Sequence, residues 1–322
     1  MQFTKNGENI KQIGYGAMVL EGYYGASDDA QAVETLTHAI NNNMMIDSAD
    51  AYGAGHNEDL IKQAIKKADK EAFIATKFGI VFDENDSGTQ VDTGWGFPLT
   101  INGRPEYVKK SIDNSLQRLG VDHIDLMYAH YLDPQVQVEE TVGALNDAIK
   151  EGKIGAIGLS NITAEDIKRA SKVAKISAIQ YEYSIARREV ELEIFPLINE
   201  IGASLVCWSP LANGILTGNV KAIEEGDFRN NNPKYQGENF ESNLKIIERL
   251  KEIASGLNIS ASQLALAWLV NKGENIIPIP GSRKTSRIDD NLSALDIKLD
   301  TSTMSAIDEV APIGAFKGET LV

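Results

Sequence analysis

The chain has 322 residues, 43% of them apolar, which is enough to bury one large core or two modest ones and argues against disorder. Lysine and arginine number 31 against 46 aspartates and glutamates, and the resulting charge of −15 opposes binding to phosphodiester backbones. One cysteine, Cys207, forbids an intrachain disulfide and any multi-cysteine metal site, as expected in a reducing compartment. No apolar run approaches the roughly 18 residues of a membrane span, and Met1 to Asn6 does not read as a secretory leader. The sequence therefore predicts a cytoplasmic protein with neither membrane nor nucleic-acid partners.

In chain order, short apolar runs alternate with helix-period stretches. Ile13 to Met18 precedes a helical pattern at Asp28 to Asn42, Met44 to Asp47 precedes Asn57 to Lys67, and Phe73 to Lys77 precedes Pro105 to Leu119. Ile124 to His130 leads to Val138 to Glu151, Ile154 to Leu159 to Ala164 to Val173, and Ala178 to Tyr181 to Glu191 to Ile201. Leu205 to Trp208 comes before Ala261 to Asn271, and Ile276 to Ile279 is the last run. Ser260 before Ala261, and Thr163 with Asp166 three residues on, are helix-start signals. Eight such units in one unbroken composition predict a single α/β domain over 1–322, a (β/α)8 barrel of the TIM type. An open doubly wound sheet is the alternative. Gly14 and Gly16 alone do not make the GxGxxG turn that such a nucleotide-binding sheet carries after its first strand.

In a barrel, function gathers at the C-terminal ends of the strands. Strand two delivers Asp47 into "IDSADAYG" with Tyr52 five residues on, strand three ends at Lys77, and strand four ends at His130. Strand five ends in Ser160 and Asn161, strand six in Gln180, and strand seven in Trp208 and Ser209. Taken singly, each has an ordinary explanation: a helix cap, a snorkelling lysine, a half-buried tyrosine. Together, a carboxylate, an ammonium, a phenol and an imidazole around one cavity form a tuned general acid. The Lys77 cation is expected to lower the pKa of the Tyr52 phenol, and Asp47 to neutralise the buried cation. A second chemistry stays open, because a strand-end lysine beside an acid could form a Schiff base, as in barrel aldolases. No histidine pair has metal-ligand spacing: His56, His123 and His130 do not form an HExxH, and His38 lies in a surface-type helix, so no metal is predicted.

At these residues the sequence resembles the aldo-keto reductases. "IDSADAYG" (46–53) is similar to the family's Asp-Thr-Ala…Tyr-Gly signature, with Ser48 where Thr is commoner, and "HNEDLI" (56–61) continues it. "ATKFG" (75–79), "RPEYVKKSIDNSLQRLGVDHIDLMYAH" (104–130), "GKIGAIGLSN", "IQYEYS", "SPLANGILTG" and "IPGSRKTSRIDDN" follow in the family's order, so the likeness covers nearly the whole chain. The resemblance implies a tetrad of Asp47, Tyr52, Lys77 and His130 in an NADPH-dependent carbonyl reductase. Tyr52 would donate the proton and His130 would orient the carbonyl oxygen.

The resemblance also implies that Ser160, Asn161 and Gln180 hold the nicotinamide amide while its ring stacks on Trp208, where Tyr is usual. Ser209, Pro210, Leu211, Gly214, Leu216 and Gly218 would pass over the pyrophosphate through backbone N–H groups. Asn291, and Asp290 where Glu is usual, would lie at the adenine end. Preference for NADPH over NADH rests on Ser282, on Arg283 or Lys284, and on Arg287 beside a helix start, which together suit the dianionic 2′-phosphate. Some relatives act as cofactor-binding, redox-sensing subunits of larger complexes, which is a further reading. Tyr23 and Tyr24 of the strand-one loop, Trp95 and Phe97 of the Phe82 to Asn102 insertion, Tyr131 and the C-terminal tail would line an apolar or aromatic carbonyl pocket, or merely pack the loops.

Overall fold

The computed structural model describes residues 3–23, 25–93, 97–220 and 228–319. Eight strands are paired in parallel in chain order: β1 (Tyr15–Gly16), β2 (Met45–Asp47), β3 (Phe73–Phe78), β4 (Leu126–Ala129), β5 (Ile157–Ser160), β6 (Ile176–Glu182), β7 (Ser204–Trp208) and β8 (Ile276–Pro278). The Gly14 N–H donates to the Pro278 carbonyl (2.9 Å) and the Gly16 N–H to the Pro280 carbonyl (3.4 Å), which brings the two outer strands together and closes the barrel. A Cβ on Gly16 would stand 2.6 Å from the Ile279 carbonyl oxygen, so this seam requires glycine.

The helices are α1 (Asp29–Asn41), α2 (His56–Ile65), α3 (Pro105–Leu119), α4 (Val138–Lys150), α5 (Ala164–Ala170), α6 (Val190–Ile201), α7 (Gly237–Gly256), α8 (Ala261–Asn271), α9 (Thr285–Ser293) and α10 (Thr301–Val310). The Ser260 side chain accepts from the Gln263 N–H, and Gln263 returns a bond to the Ser260 N–H; the Thr163 hydroxyl accepts from the Asp166 N–H. Both predicted caps are therefore present. The long helix α7, the helix α10 and two hairpins, Thr4–Lys5 with Glu8–Asn9 and Thr89–Asp92 with Pro98–Ile101, lie outside the predicted alternation. The first predicted run also ends early, because Ala17–Glu21 winds into a 3-10 turn.

Strand side chains alternate between the barrel interior and the helix layer. Inside lie Met45, Phe73, Ala75, Leu126, Tyr128, Ala178, Val206 and Ile277, joined by Phe3 and Ile10 from the ends of the first hairpin. The Phe3 and Phe73 rings meet at 5.4 Å. Stepping two residues further along the strands reaches Asp47, Lys77, His130, Gln180 and Trp208, so one period carries the interior from an apolar floor to a polar mouth. Among the described residues, no single helix is long and apolar enough to cross a membrane.

Tyr128 fits inside the barrel because Gly158 faces it; a Cβ there would lie 2.2 Å from the ring. We expect Gly158→Ala to destabilise the fold by about 1–3 kcal/mol through overpacking. A wild-type urea midpoint for this variant would show that the ring has room to retreat.

Candidate active site

Lys77 stands at the polar mouth, 1% exposed. Its ammonium donates to Asp47 Oδ1 (2.6 Å), to the Ser48 carbonyl (2.6 Å) and, more distantly, toward the Tyr52 hydroxyl (3.4 Å). Burial works against this charge, but Asp47 and Tyr52 outweigh it and hold the lysine above its ordinary pKa. The second Asp47 oxygen accepts from Gln180 Nε2 at 2.7 Å, tying β6 to β2 across the barrel.

Tyr52 reaches this group from the loop after β2. The Ser48 N–H donates to the Ala75 carbonyl and the Asp50 N–H to the Lys77 carbonyl, so the β2–β3 pairing runs on past the strand end before the chain turns. The turn Tyr52–Gly55 then takes left-handed backbone at Gly53 (φ 58°), Ala54 (φ 52°) and Gly55 (φ 96°). Burial pushes the Tyr52 phenol above its usual value, and the pull of Lys77 in the other direction is smaller. The expected net lowering is therefore not found: withdrawing a phenolate from water costs more than one ammonium at 3.4 Å returns, and Asp47 adds repulsion.

His130 follows β4 directly, its N–H donating to the Phe78 carbonyl. Its ring meets Tyr52 edge-on (centroids 6.0 Å apart, 81°) and stacks on Tyr131. Burial, with the Lys77 charge nearby, pushes the imidazole well below its usual pKa, so it stays neutral through the physiological range. Asn161, left-handed at φ 50°, turns back so that its amide donates to the His130 carbonyl and to Ser160 Oγ, both at 3.2 Å.

A cavity of about 320 Å³ collects Asp47, Tyr52, His130, Ser160, Asn161, Gln180, Trp208, Ser209, Pro210, Leu211 and Gly214. Lys77 lies behind Asp47 rather than on the wall. Leu216 is buried beneath the loop, and Gly218 packs against Lys251 of α7, so these two do not reach the cavity. Gly16, Met18, Val19, Asn213, Thr217 and Ile279 to Gly281 also line it. Reading the ends of strands one and eight as the others were read would have found Gly16 and Ile279 to Gly281.

Ser282, Lys284, Arg287, Asp290 and Asn291 continue from Gly281 into α9 and do not line the cavity. Lys284 is the helix N-cap, exposed, and makes no side-chain cap bond. The Ser282 hydroxyl is engaged with the Lys284 backbone. Arg283 donates to the Gly25 and Ala26 carbonyls, pinning the strand-one loop. Arg287 lies 3.6 Å from Asp290, whose carboxylate also accepts from Gln263.

Beyond Trp208 a second basin shares Tyr131, Asn161 and Trp208 with the first cavity and adds Thr93, Glu182 and Arg187. Of the aromatics expected to shape a substrate pocket, Tyr131 lines both cavities. Tyr23 and Phe97 are exposed and line neither, and Tyr24 and Trp95 lie outside the described residues. Among the described residues, no cluster of three or more His, Cys, Asp or Glu side chains could hold a metal ion.

The Aldo/keto reductase family profile matches residues 12–312, and the chain belongs to this family. It is 39% identical over 311 residues to the aldo-keto reductase yakc (NADP(+)) of Schizosaccharomyces pombe, covering 94% of this chain and 88% of that one. It is 37% identical over 318 residues to probable aldo-keto reductase 1 of Glycine max, covering 97% and 88%. Among solved structures, a glycerol dehydrogenase from Gluconobacter oxydans superposes with a TM-score of 0.85 at 26% identity, covering 94% of this chain and 92% of that one.

Keeping His130 neutral links it to folding. Its pKa is depressed in the folded state, so its contribution to stability is intact above the unfolded value of about 6.5 and is lost as pH falls below it. Urea unfolding at pH 8 and pH 5 should show the wild type losing more stability than His130→Gln, by up to about 1.4 kcal/mol per pH unit. Parallel losses would mean that the imidazole takes up a proton without cost.

Proposed function

We propose that the protein reduces an aldehyde or ketone to the alcohol with NADPH, using Tyr52 as the general acid. The observation that carries this reading is the buried Lys77 ammonium, held by Asp47 and aimed at the Tyr52 phenol on the cavity wall. The same bonding argues against the aldolase alternative, since an ammonium committed to Asp47 and to the Ser48 carbonyl has no lone pair for a Schiff base.

The donor set fits the cofactor. Gln180 spends its amide N–H on Asp47, which leaves its oxygen to accept from a carboxamide, and Ser160 and Asn161 stand beside it. Trp208 offers a flat face, and the left-handed run Ser209, Ala212, Asn213 and Gly214 turns the backbone around the cavity. The α9 N-terminus, free of a side-chain cap and headed by Lys284, suits the 2′-phosphate, with Arg287 one turn on. The yeast relative's name carries NADP(+), in keeping with this choice. Arg283 is committed to carbonyls of the strand-one loop, so the reading assigns Lys284 rather than Arg283 to the phosphate.

When bound, NADPH supplies the hydride delivered to the carbonyl carbon. Tyr52 gives its proton to the carbonyl oxygen; its raised pKa keeps that proton in place at neutral pH, and the developing alkoxide is basic enough to take it. Lys77 stabilises the phenolate left behind, and Asp47 and Gln180 keep the ammonium in place. His130, neutral and edge-on to Tyr52, hydrogen-bonds the same oxygen without competing as an acid.

Removing only the hydroxyl in Tyr52→Phe should lower kcat by about 10²–10⁴-fold with NADPH binding nearly unchanged. A variant keeping more than about a tenth of the wild-type rate, with chemistry limiting, would mean that Tyr52 is not the acid. Combining Lys284→Ala with Arg287→Ala should raise KM for NADPH by on the order of a hundredfold and leave KM for NADH nearly unmoved, because two charge-assisted contacts at about 1.5–3 kcal/mol each are lost. Equal wild-type KM values for the two cofactors would refute the phosphate assignment.

A further inference from the structure

We infer that Glu21 is a positioning residue for Tyr52, acting through the loop that carries the phenol. This rests on the assignment of Tyr52 as the acid. Residues 48–57 form a loop whose ends are joined by a buried bond from Ser48 Oγ to Asn57 Oδ1 (2.7 Å). At one end, the Ser48 carbonyl accepts from the Lys77 ammonium (2.6 Å). At the other, Asn57 donates to Glu21 Oε1 (2.7 Å) and to the Ala17 carbonyl (3.1 Å).

Glu21 comes from the separate 3-10 turn after β1, and its side chain is only 7% exposed. Its second oxygen pairs with His56 Nδ1 at 3.1 Å, while His56 Nε2 faces Asp29 at 3.4 Å. That oxygen also fills the space beside Gly53, the residue after Tyr52: a Cβ there would lie 2.1 Å from it. One carboxylate thus touches the loop at Gly53, His56 and Asn57, and through Asn57 and Ser48 reaches the group that holds Lys77. Glu21 makes no bond to Tyr52 itself. Its effect is to fix the left-handed turn Tyr52–Gly55, whose backbone would otherwise relax and carry the hydroxyl away from the ammonium.

The bonding asks for a carboxylate. Both oxygens accept, from the Asn57 amide N–H and from His56 with its proton on Nδ1, whereas a glutamine keeps the first bond and keeps the second only if His56 moves its proton to Nε2. Glu21→Gln should therefore fall between the wild type and Glu21→Ala.

The test combines kinetics with an activity-independent probe. Glu21→Ala should lower kcat by about tenfold to a hundredfold, the cost of misplacing a catalytic group by about 1 Å, with KM for NADPH within about twofold of wild type. In protein labelled with 13C at the tyrosine ring, the Tyr52 signal, assigned by its loss in Tyr52→Phe, should shift or broaden in Glu21→Ala and less so in Glu21→Gln. Wild-type kcat in Glu21→Ala, a matching rise in KM for NADPH, or an unmoved Tyr52 signal would each overturn the inference. If Glu21→Ala fails to fold, the same readings on Glu21→Gln decide it. A wild type that reduces no carbonyl with NADPH would sink the functional reading, while the tyrosine signal would still settle whether Glu21 positions the ring.

Discussion

The ion pair between Lys77 and Asp47 is the constraint around which the mouth of the barrel is arranged. Both side chains are almost wholly buried, and two desolvated charges persist only where geometry and further hydrogen bonds repay the loss of water. The pairing of Asp47 with Ala75 across β2 and β3 sets the lysine two residues beyond the carboxylate's partner, within reach of it. The Ser48 carbonyl takes a second ammonium proton, and Gln180 from the far side takes the second carboxylate oxygen. Three strands are thereby fixed relative to one another by one charge. The Tyr52 loop closes over the same point, since the Asp50 N–H donates to the Lys77 carbonyl.

Below this layer the barrel is an ordinary packed core. Its filling follows from the two-residue period, and Gly158 is the exception that lets a whole Tyr128 ring into the interior. Burial pushes the Tyr128 hydroxyl well above its usual pKa, so it remains a neutral phenol beneath Asp47. The Tyr52 phenol on the cavity wall, by contrast, is half-buried and lies beside a cation. Two tyrosines in one barrel thus have different chemical standing, set by depth and by the neighbour each is given.

Much of this was legible because a parallel barrel translates sequence simply. A run of alternating or fully apolar residues ends where the strand meets the mouth, and the polar residue there must face the cavity or cap a helix. Asp47, Lys77, His130 and Gln180 fall at such ends, and the cavity collects all but the lysine, which stands behind the aspartate. What stayed hidden was of two kinds. Net electrostatics is a difference between opposed terms, so the sign of the Tyr52 shift could not be had from knowing that a lysine was near. Tertiary pairing of loop residues leaves no period at all: Glu21 meets Asn57 and His56 across more than thirty positions, and Arg283 reaches back to Gly25. Phe97 of the 82–102 insertion stays away from the cavity because a hairpin forms there and leaves it facing outward.

The cofactor end poses the sharper electrostatic question, since a chain of charge −15 must attract a polyanion. Near α9 the cations are few and partly committed: Arg283 to two carbonyls, Arg287 to Asp290. The second commitment is shallow. Arg287 and Asp290 are 3.6 Å apart with the arginine side chain 63% exposed, and exposed pairs of this kind are worth about 0–1 kcal/mol. On the proposed assignment, a phosphate dianion at the α9 N-terminus would offer the guanidinium two acceptors in place of one distant carboxylate, so the arginine would gain by exchanging partners. Asp290 is not left bare by that exchange, because Gln263 still donates to it. On the proposed assignment, the pair holds Arg287 near its place at little cost to binding.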